Sequence, residues 1–241
     1  MKYKNIIITH MLFMAVAGQG AWAQGTYHIT ENNLTWNDGL TLNNLSDGYV
    51  SALRAEDSIS SIIKTAKGVD VSNNHAGVFF SDGASITLIS SVPDNQFQSN
   101  NNRWEGILVE SKADFTISGM NVSSNGNKDN GIRANAAGQL SIEGADKVEF
   151  NNNAGKGIFA FAADSVVSIS GKDNHSSFLF VNDNNATAGW GGGIWSEDQA
   201  LVSITNMNTE VKGNGLAGIM ARSGGRVDFL GDGRQYLHVI Q

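Results

Sequence analysis

The chain has no cysteine and a single proline among 241 residues. The missing thiols exclude disulfide frameworks, thiolate zinc sites and cysteine nucleophiles together. One proline beside 28 glycines excludes a collagen-type repeat, which needs both in strict period. Basic residues are scarce too: 16 Lys and Arg against 23 Asp and Glu leave a formal net charge of −7. That balance argues against nucleic-acid binding, which needs clustered cations to neutralise phosphate. Beyond residue 23 no apolar run approaches the roughly 20 residues of a membrane helix. Helical periodicity of useful length is absent as well.

What is present points elsewhere. Hydrophobic residues make up 41% of the chain, enough for a core. The 27 asparagines and 28 glycines, with many Ser and β-branched residues, suggest short strands joined by tight turns.

Residues 1–23 read as a signal peptide. Lys2 and Lys4 open it, an apolar stretch follows from Ile6 to Ala17, and Ala21-Trp22-Ala23 has the small-x-small form of a cleavage site. Cleavage is expected before Gln24, leaving an exported chain without cysteine, which fits a bacterial surface protein better than a disulfide-stapled eukaryotic one. Loss of two lysines moves the net charge from −7 to −9.

The mature chain repeats itself. A Gly-aliphatic unit recurs at Gly77, Gly106, Gly131, Gly157, Gly193 and Gly218, at spacings of 29, 25, 26, 36 and 25 residues. Each unit is followed by an alternating stretch such as Asp114-Phe115-Thr116-Ile117 or Gln139-Leu140-Ser141-Ile142. Alternation at period two marks a half-buried strand. A third apolar stretch then runs into asparagine, as in Val122-Ser123-Ser124-Asn125 and Val148-Glu149-Phe150-Asn151.

Three short strands in about 25 residues cannot bury an apolar face alone, whereas stacked copies can. The reading is an all-β, single-stranded, right-handed parallel β-helix with three strands per rung. Residues 24–68 are less regular and are expected to form an N-terminal cap and opening rungs; residues 69–241 are regular rungs, truncated at the C-terminus. With stacked strands about 4.8 Å apart, the rod would be roughly 30–40 Å long. Asn74, Asn100, Asn125, Asn151 and Asn182 are expected to adopt turn or left-handed conformations and to stack as an amide ladder. A β-sandwich is the competing architecture, but it does not require matched Gly-Ile and Asn positions at a fixed period.

These Gly-Ile-x-Ala units, alternating strands and Asn-Gly turns resemble the passenger region of Gram-negative autotransporters, of the pertactin-like or diffuse-adherence adhesin type. The resemblance spans residues 24–241. It implies export, display at the bacterial cell surface or outer membrane, and adhesion to a host-cell or glycan receptor or self-association. It also implies a C-terminal outer-membrane barrel, whose many strands do not follow in this chain. Without one the product is secreted or periplasmic.

Enzymes use the same coil, so a pectin-lyase-like, polysaccharide-active protein is the alternative, and a non-functional truncated remnant is a third reading. Glycosidase chemistry needs paired carboxylates, and the acids scatter over rung positions without an Asp-Asp pair. No G-x-S-x-G, H-E-x-x-H or phosphate-loop motif occurs. The chain is therefore read as non-enzymatic, without cofactor or metal.

Two features mark candidate contact residues. The residue after each Gly-Ile should point outward, giving the column Phe79, Leu108, Arg133, Phe159, Trp195 and Met220. An exposed apolar stripe of this kind marks a contact surface. The over-long interval between Gly157 and Gly193 places surplus residues near Lys172–His175 and Asn185–Trp190. Insertions leave the rod as loops, so Trp190 is a candidate receptor or carbohydrate contact.

Overall fold

The computed structural model describes residues 26–45, 51–172, 176–185 and 191–237. Residues 1–25, with the expected signal peptide, 46–50, 173–175, 186–190, with Trp190, and 238–241 lie outside them. Among the described residues the chain forms twenty-four strands and no helix. Strands recur in threes, one per sheet, so each of the three sheets holds eight strands in sequence order. Every neighbouring pair is parallel, as in Ile107–Glu110 on Ile132–Asn135. This is a parallel β-solenoid with three strands per coil, and the sandwich alternative falls with it. We call the sheets A, B and C in the order the chain visits them. Seven steps of about 4.8 Å make the stack roughly 34 Å long. The irregular N-terminal stretch joins the same stack: Tyr27–His28, Leu34–Trp36 and Leu40–Thr41 form the first coil, and Ser51–Ala55, Ser60–Thr65 and Val69–Asp70 the second.

Alternation explains the interior. In Asp114–Ser118, Phe115 and Ile117 are buried while the residues between them are not. Register then stacks like upon like. Ile86, Phe115, Leu140, Val167 and Val202 form one inward column on sheet B, and Leu88, Ile117, Ile142, Ile169 and Ile204 a second. On sheet A, Val78, Ile107, Ile132, Ile158, Ile194 and Ile219 form the third. Phe115 meets Phe80 edge-on at 4.8 Å and Phe97 at 6.0 Å. Burying each such side chain contributes about 1.5–3 kcal/mol, which is how three-residue strands persist.

The repeated glycine is a matter of space. A Cβ on Gly106 would fall 2.6 Å from the carbonyl oxygen of Gly131, and one on Gly131 2.6 Å from that of Gly157. Only a bare Cα lets the coils close to strand spacing at this corner.

The asparagine rows differ from the expected single ladder. The corner between sheets C and A reads Asn-x-Asn, and it is the middle residue that is left-handed: Asn101 has φ 55°, Gly126 66°, Asn152 57° and Asp183 55°. The flanking asparagines build two rows. In the outer row, the backbone N–H groups of Asn125, Asn151 and Asn182 donate to Oδ1 of Asn100, Asn125 and Asn151 at 2.7–2.8 Å. In the inner row, Asn102, Asn127, Asn153 and Asn184 donate both backbone N–H and Nδ2–H to Oδ1 of the asparagine one coil on, at 2.9–3.0 Å. Asn74 belongs to this inner row, donating its N–H to Asn102. Donation therefore runs backward along the rod in one row and forward in the other. Only the inner row is an amide-to-amide ladder, and its members are buried.

Candidate functional site

Sheet A carries the outward column marked in the sequence. Register aligns Arg54, Phe79, Leu108, Arg133, Phe159, Trp195 and Met220 one above another. Its exposure is less than expected. Leu108 is 2%, Phe159 9% and Trp195 4% exposed, while Phe79 and Met220 are half-buried.

The cover comes from long cations laid across the rings. Lys156 Nζ sits 4.3 Å from the centre of Phe159 and 4.6 Å from that of Trp195. Arg133 lies over Phe159 at 5.5 Å, Arg222 over Trp195 at 5.7 Å and Arg54 over Phe79 at 5.0 Å. Phe161 adds a ring contact to Phe159 at 5.8 Å. Each cation–ring contact is worth about 0.5–2 kcal/mol, more where water is excluded. The stripe is thus a mixed aromatic and cationic face, not an apolar one.

A second column lies beside it, formed by the residue before each repeat glycine. Gly77, Gly106 and Gly131 donate their N–H groups to the carbonyls of Glu105, Asn130 and Lys156. Glu105 is fully buried. Its Oε1 lies 3.4 Å from Arg133 Nη1, while Oε2 and Arg133 Nε have no hydrogen-bond partner. Burial first, and then the nearby charge of Asp129, push the Glu105 carboxyl up to about 7, against the pull of Arg133. Burial likewise holds the Lys156 amine below its ordinary value, with Glu197 and Asp129 opposing. Glu197, itself buried, pairs with Arg222 at 2.8 Å. Trp195 packs its indole against Gly192, where a Cβ would fall 2.0 Å from Nε1; that Nε1 has no partner.

The face therefore gathers three carboxylates, Glu105, Asp129 and Glu197, with Arg133, Lys156 and Arg222 and two large rings. One carboxyl exchanges its proton near neutral pH. Among the described residues no group of three His, Asp or Glu side chains is placed to hold a metal ion. Reading by motif missed Glu105 and Lys156, although both occupy the position just before the repeat glycine. Trp190 lies outside the described residues, so it joins no site here.

No protein-family model matches the chain, and neither a curated protein nor a solved structure matches it.

Proposed function

We propose that this chain is the rod of an exported bacterial surface protein, of the autotransporter passenger type, and that it works by adhesion or self-association without catalysis. The observation that carries this reading is the unbroken register of the sheet A columns. It fixes Arg54, Arg133 and Arg222, of a residue type that anchors protein interfaces, on a rigid face. A surface so preorganised loses little side-chain freedom when it meets a partner.

The test uses members of the face that remain accessible. Arg222 keeps 60% of its side chain exposed and Met220 is half-buried. The double variant Met220→Lys, Arg222→Gln, whose amide can still donate to Glu197, is expected to lower cell binding or autoaggregation of displayed protein several-fold, with its circular dichroism unchanged. Undiminished binding and aggregation would remove the face from the proposal. Charging Phe159 or Trp195 is a poorer test, because both are packed and their loss would disturb the coil.

The carboxylates of Glu105, Asp129 and Glu197 on one face favour a second reading, a polysaccharide-active enzyme with Glu105 as its proton donor. The burial of Glu105 counts against it, since a sugar would have to displace packed side chains to reach Oε2. Release of reducing ends from plant or bacterial polysaccharide that disappears in Glu105→Gln would establish this reading; no release would dismiss it.

A further inference from the structure

The corner between sheets B and C holds a cleft that neither sequence motifs nor the sheet A face accounts for. In the third coil, five residues, 91–95, separate the strands Ser85–Ser90 and Gln96–Gln98. The next coils turn the same corner with two residues, 119–120, and then one, Asp146. The longer loop, which carries the chain's only proline, Pro93, stands beside the short turns and walls off a cavity of about 260 Å³.

The loop is internally tied. Ser90 Oγ donates to Val92 O at 2.6 Å and accepts from Val92 N–H at 3.1 Å and Asn95 Nδ2 at 2.9 Å. Ser91 Oγ holds Thr65 O at 3.1 Å. Space along the wall is real: a Cβ built on Gly144, at φ +63°, would meet nothing within 4 Å. The lining is divided by chemistry. Met120 is buried to 1% beneath the cleft and Val92 is 43% exposed at its rim. Asp94, Asn121, Asp146 and Lys172 supply the polar part. Lys172 Nζ lies 3.4 Å from Asp146 Oδ2. Asn121 Oδ1 accepts the N–H groups of Asp146 and Lys147, and its amide NH₂ makes no hydrogen bond with the described residues.

We propose that this corner cleft binds a neutral sugar unit of a polysaccharide. A pyranose presents a C–H face and a rim of hydroxyls. Val92, exposed at the rim, suits the first, and two carboxylates, an amide and an ammonium suit the second, since charged partners form the stronger hydrogen bonds to hydroxyl groups. The volume falls just below the roughly 300–1,000 Å³ of drug-sized ligand sites, the scale of one ring. Two carboxylates against one ammonium leave the cleft net negative, which favours a neutral sugar over a uronate. The assignment rests on the adhesion reading and gives it a glycan partner and a place on the rod.

The experiment titrates the isotope-labelled full chain with three probes: cellohexaose, an N-acetylglucosamine tetramer and an oligogalacturonate. A neutral probe is expected to shift the amides of Gly119, Gly144 and Asp146 at millimolar concentration, with the oligogalacturonate inert. Asp94→Asn and Asp146→Asn, both at the surface, are expected to weaken the shifts at least tenfold without altering the rest of the spectrum. The inference is overturned by unmoved cleft amides with both neutral probes, or by shifts that survive both substitutions. Cell binding is measured alongside: adhesion that persists in the two variants sinks the cleft alone, whereas a wild-type chain that neither adheres nor aggregates sinks the adhesion reading whatever the cleft binds.

Discussion

Asn127→Ala is expected to cost the rod about 3–5 kcal/mol, more than any exposed substitution on it. Asn127 is 1% exposed. Its Oδ1 receives two donors from the preceding coil, the backbone N–H of Asn102 at 2.9 Å and Asn102 Nδ2 at 3.0 Å. Its own Nδ2 reaches Ser124 Oγ at 3.1 Å and Asn153 Oδ1 at 3.0 Å. Truncation strands the buried backbone N–H of Asn102, leaves Asn102 Nδ2 with Ser99 Oγ alone at 3.2 Å, and removes a donor from Asn153 Oδ1. Each unsatisfied buried group costs about 1–3 kcal/mol. Coils depend on their neighbours, so the damage should spread to those carrying Asn102 and Asn153. Asn125→Ala is the internal comparison. Asn125 is half-buried and its Oδ1 accepts one bond, from Asn151 N–H, which water can replace. Urea unfolding of the two variants should therefore differ by at least 2 kcal/mol, in the range of two such lost partners. Equal losses would mean that the inner row is not what holds this corner.

The same corner shows how far sequence reading reaches. Coil length, strand order and inward columns were legible because each is written as a repeat: Phe115 and Ile117 alternate with polar residues, and Ile107, Ile132 and Ile158 follow glycine at matched places. The division of labour within Asn-x-Asn was not. Composition shows that asparagine suits the turn, but not that Asn101 and Asn152 take the left-handed position while Asn102 and Asn153 turn inward. The outward column was placed correctly by parity and given the wrong environment. Exposure depends on what crosses over it, and Lys156 lies three residues before Phe159 and reaches across coils to Trp195. Long cationic side chains cover apolar surface in a way that a pattern of apolar letters does not record. The burial of Glu105 is hidden for the same reason: an acid beside a glycine looks solvated until neighbouring coils close over it.

That buried acid yields the second large effect, a stability that falls as pH rises. Glu105 holds its proton up to about 7 in the folded chain, against an ordinary value of 4.5. Between those two values the folded state binds more protons than the unfolded state, so unfolding free energy decreases with increasing pH. The contribution is fully present below about pH 4.5, is lost through the window up to about pH 7, and is flat above it. A shift of this size corresponds to on the order of 3 kcal/mol. Of the groups around Glu105, Asp129 adds to the effect of burial and Arg133 opposes it. Above neutrality its carboxylate has one ion-pair contact, Arg133 at 3.4 Å, an Oε2 without a partner and the like charge of Asp129 nearby. Burial raises Asp114 as well, in the same direction, whereas Glu56 and Glu210 are held below their ordinary value by Arg54 and Lys212, so their share of stability is lost at still lower pH. Subtracting the curve of Glu105→Gln from that of the wild type isolates the one group, because the amide cannot ionise. Urea midpoints taken from pH 5 to pH 8 should give a difference that changes across pH 5–7, with the variant the more stable chain at pH 8. A difference that stays constant over that range would show that the Glu105 carboxylate reaches solvent or a second cation when it ionises, and that sheet A closes over it less tightly than its packing indicates.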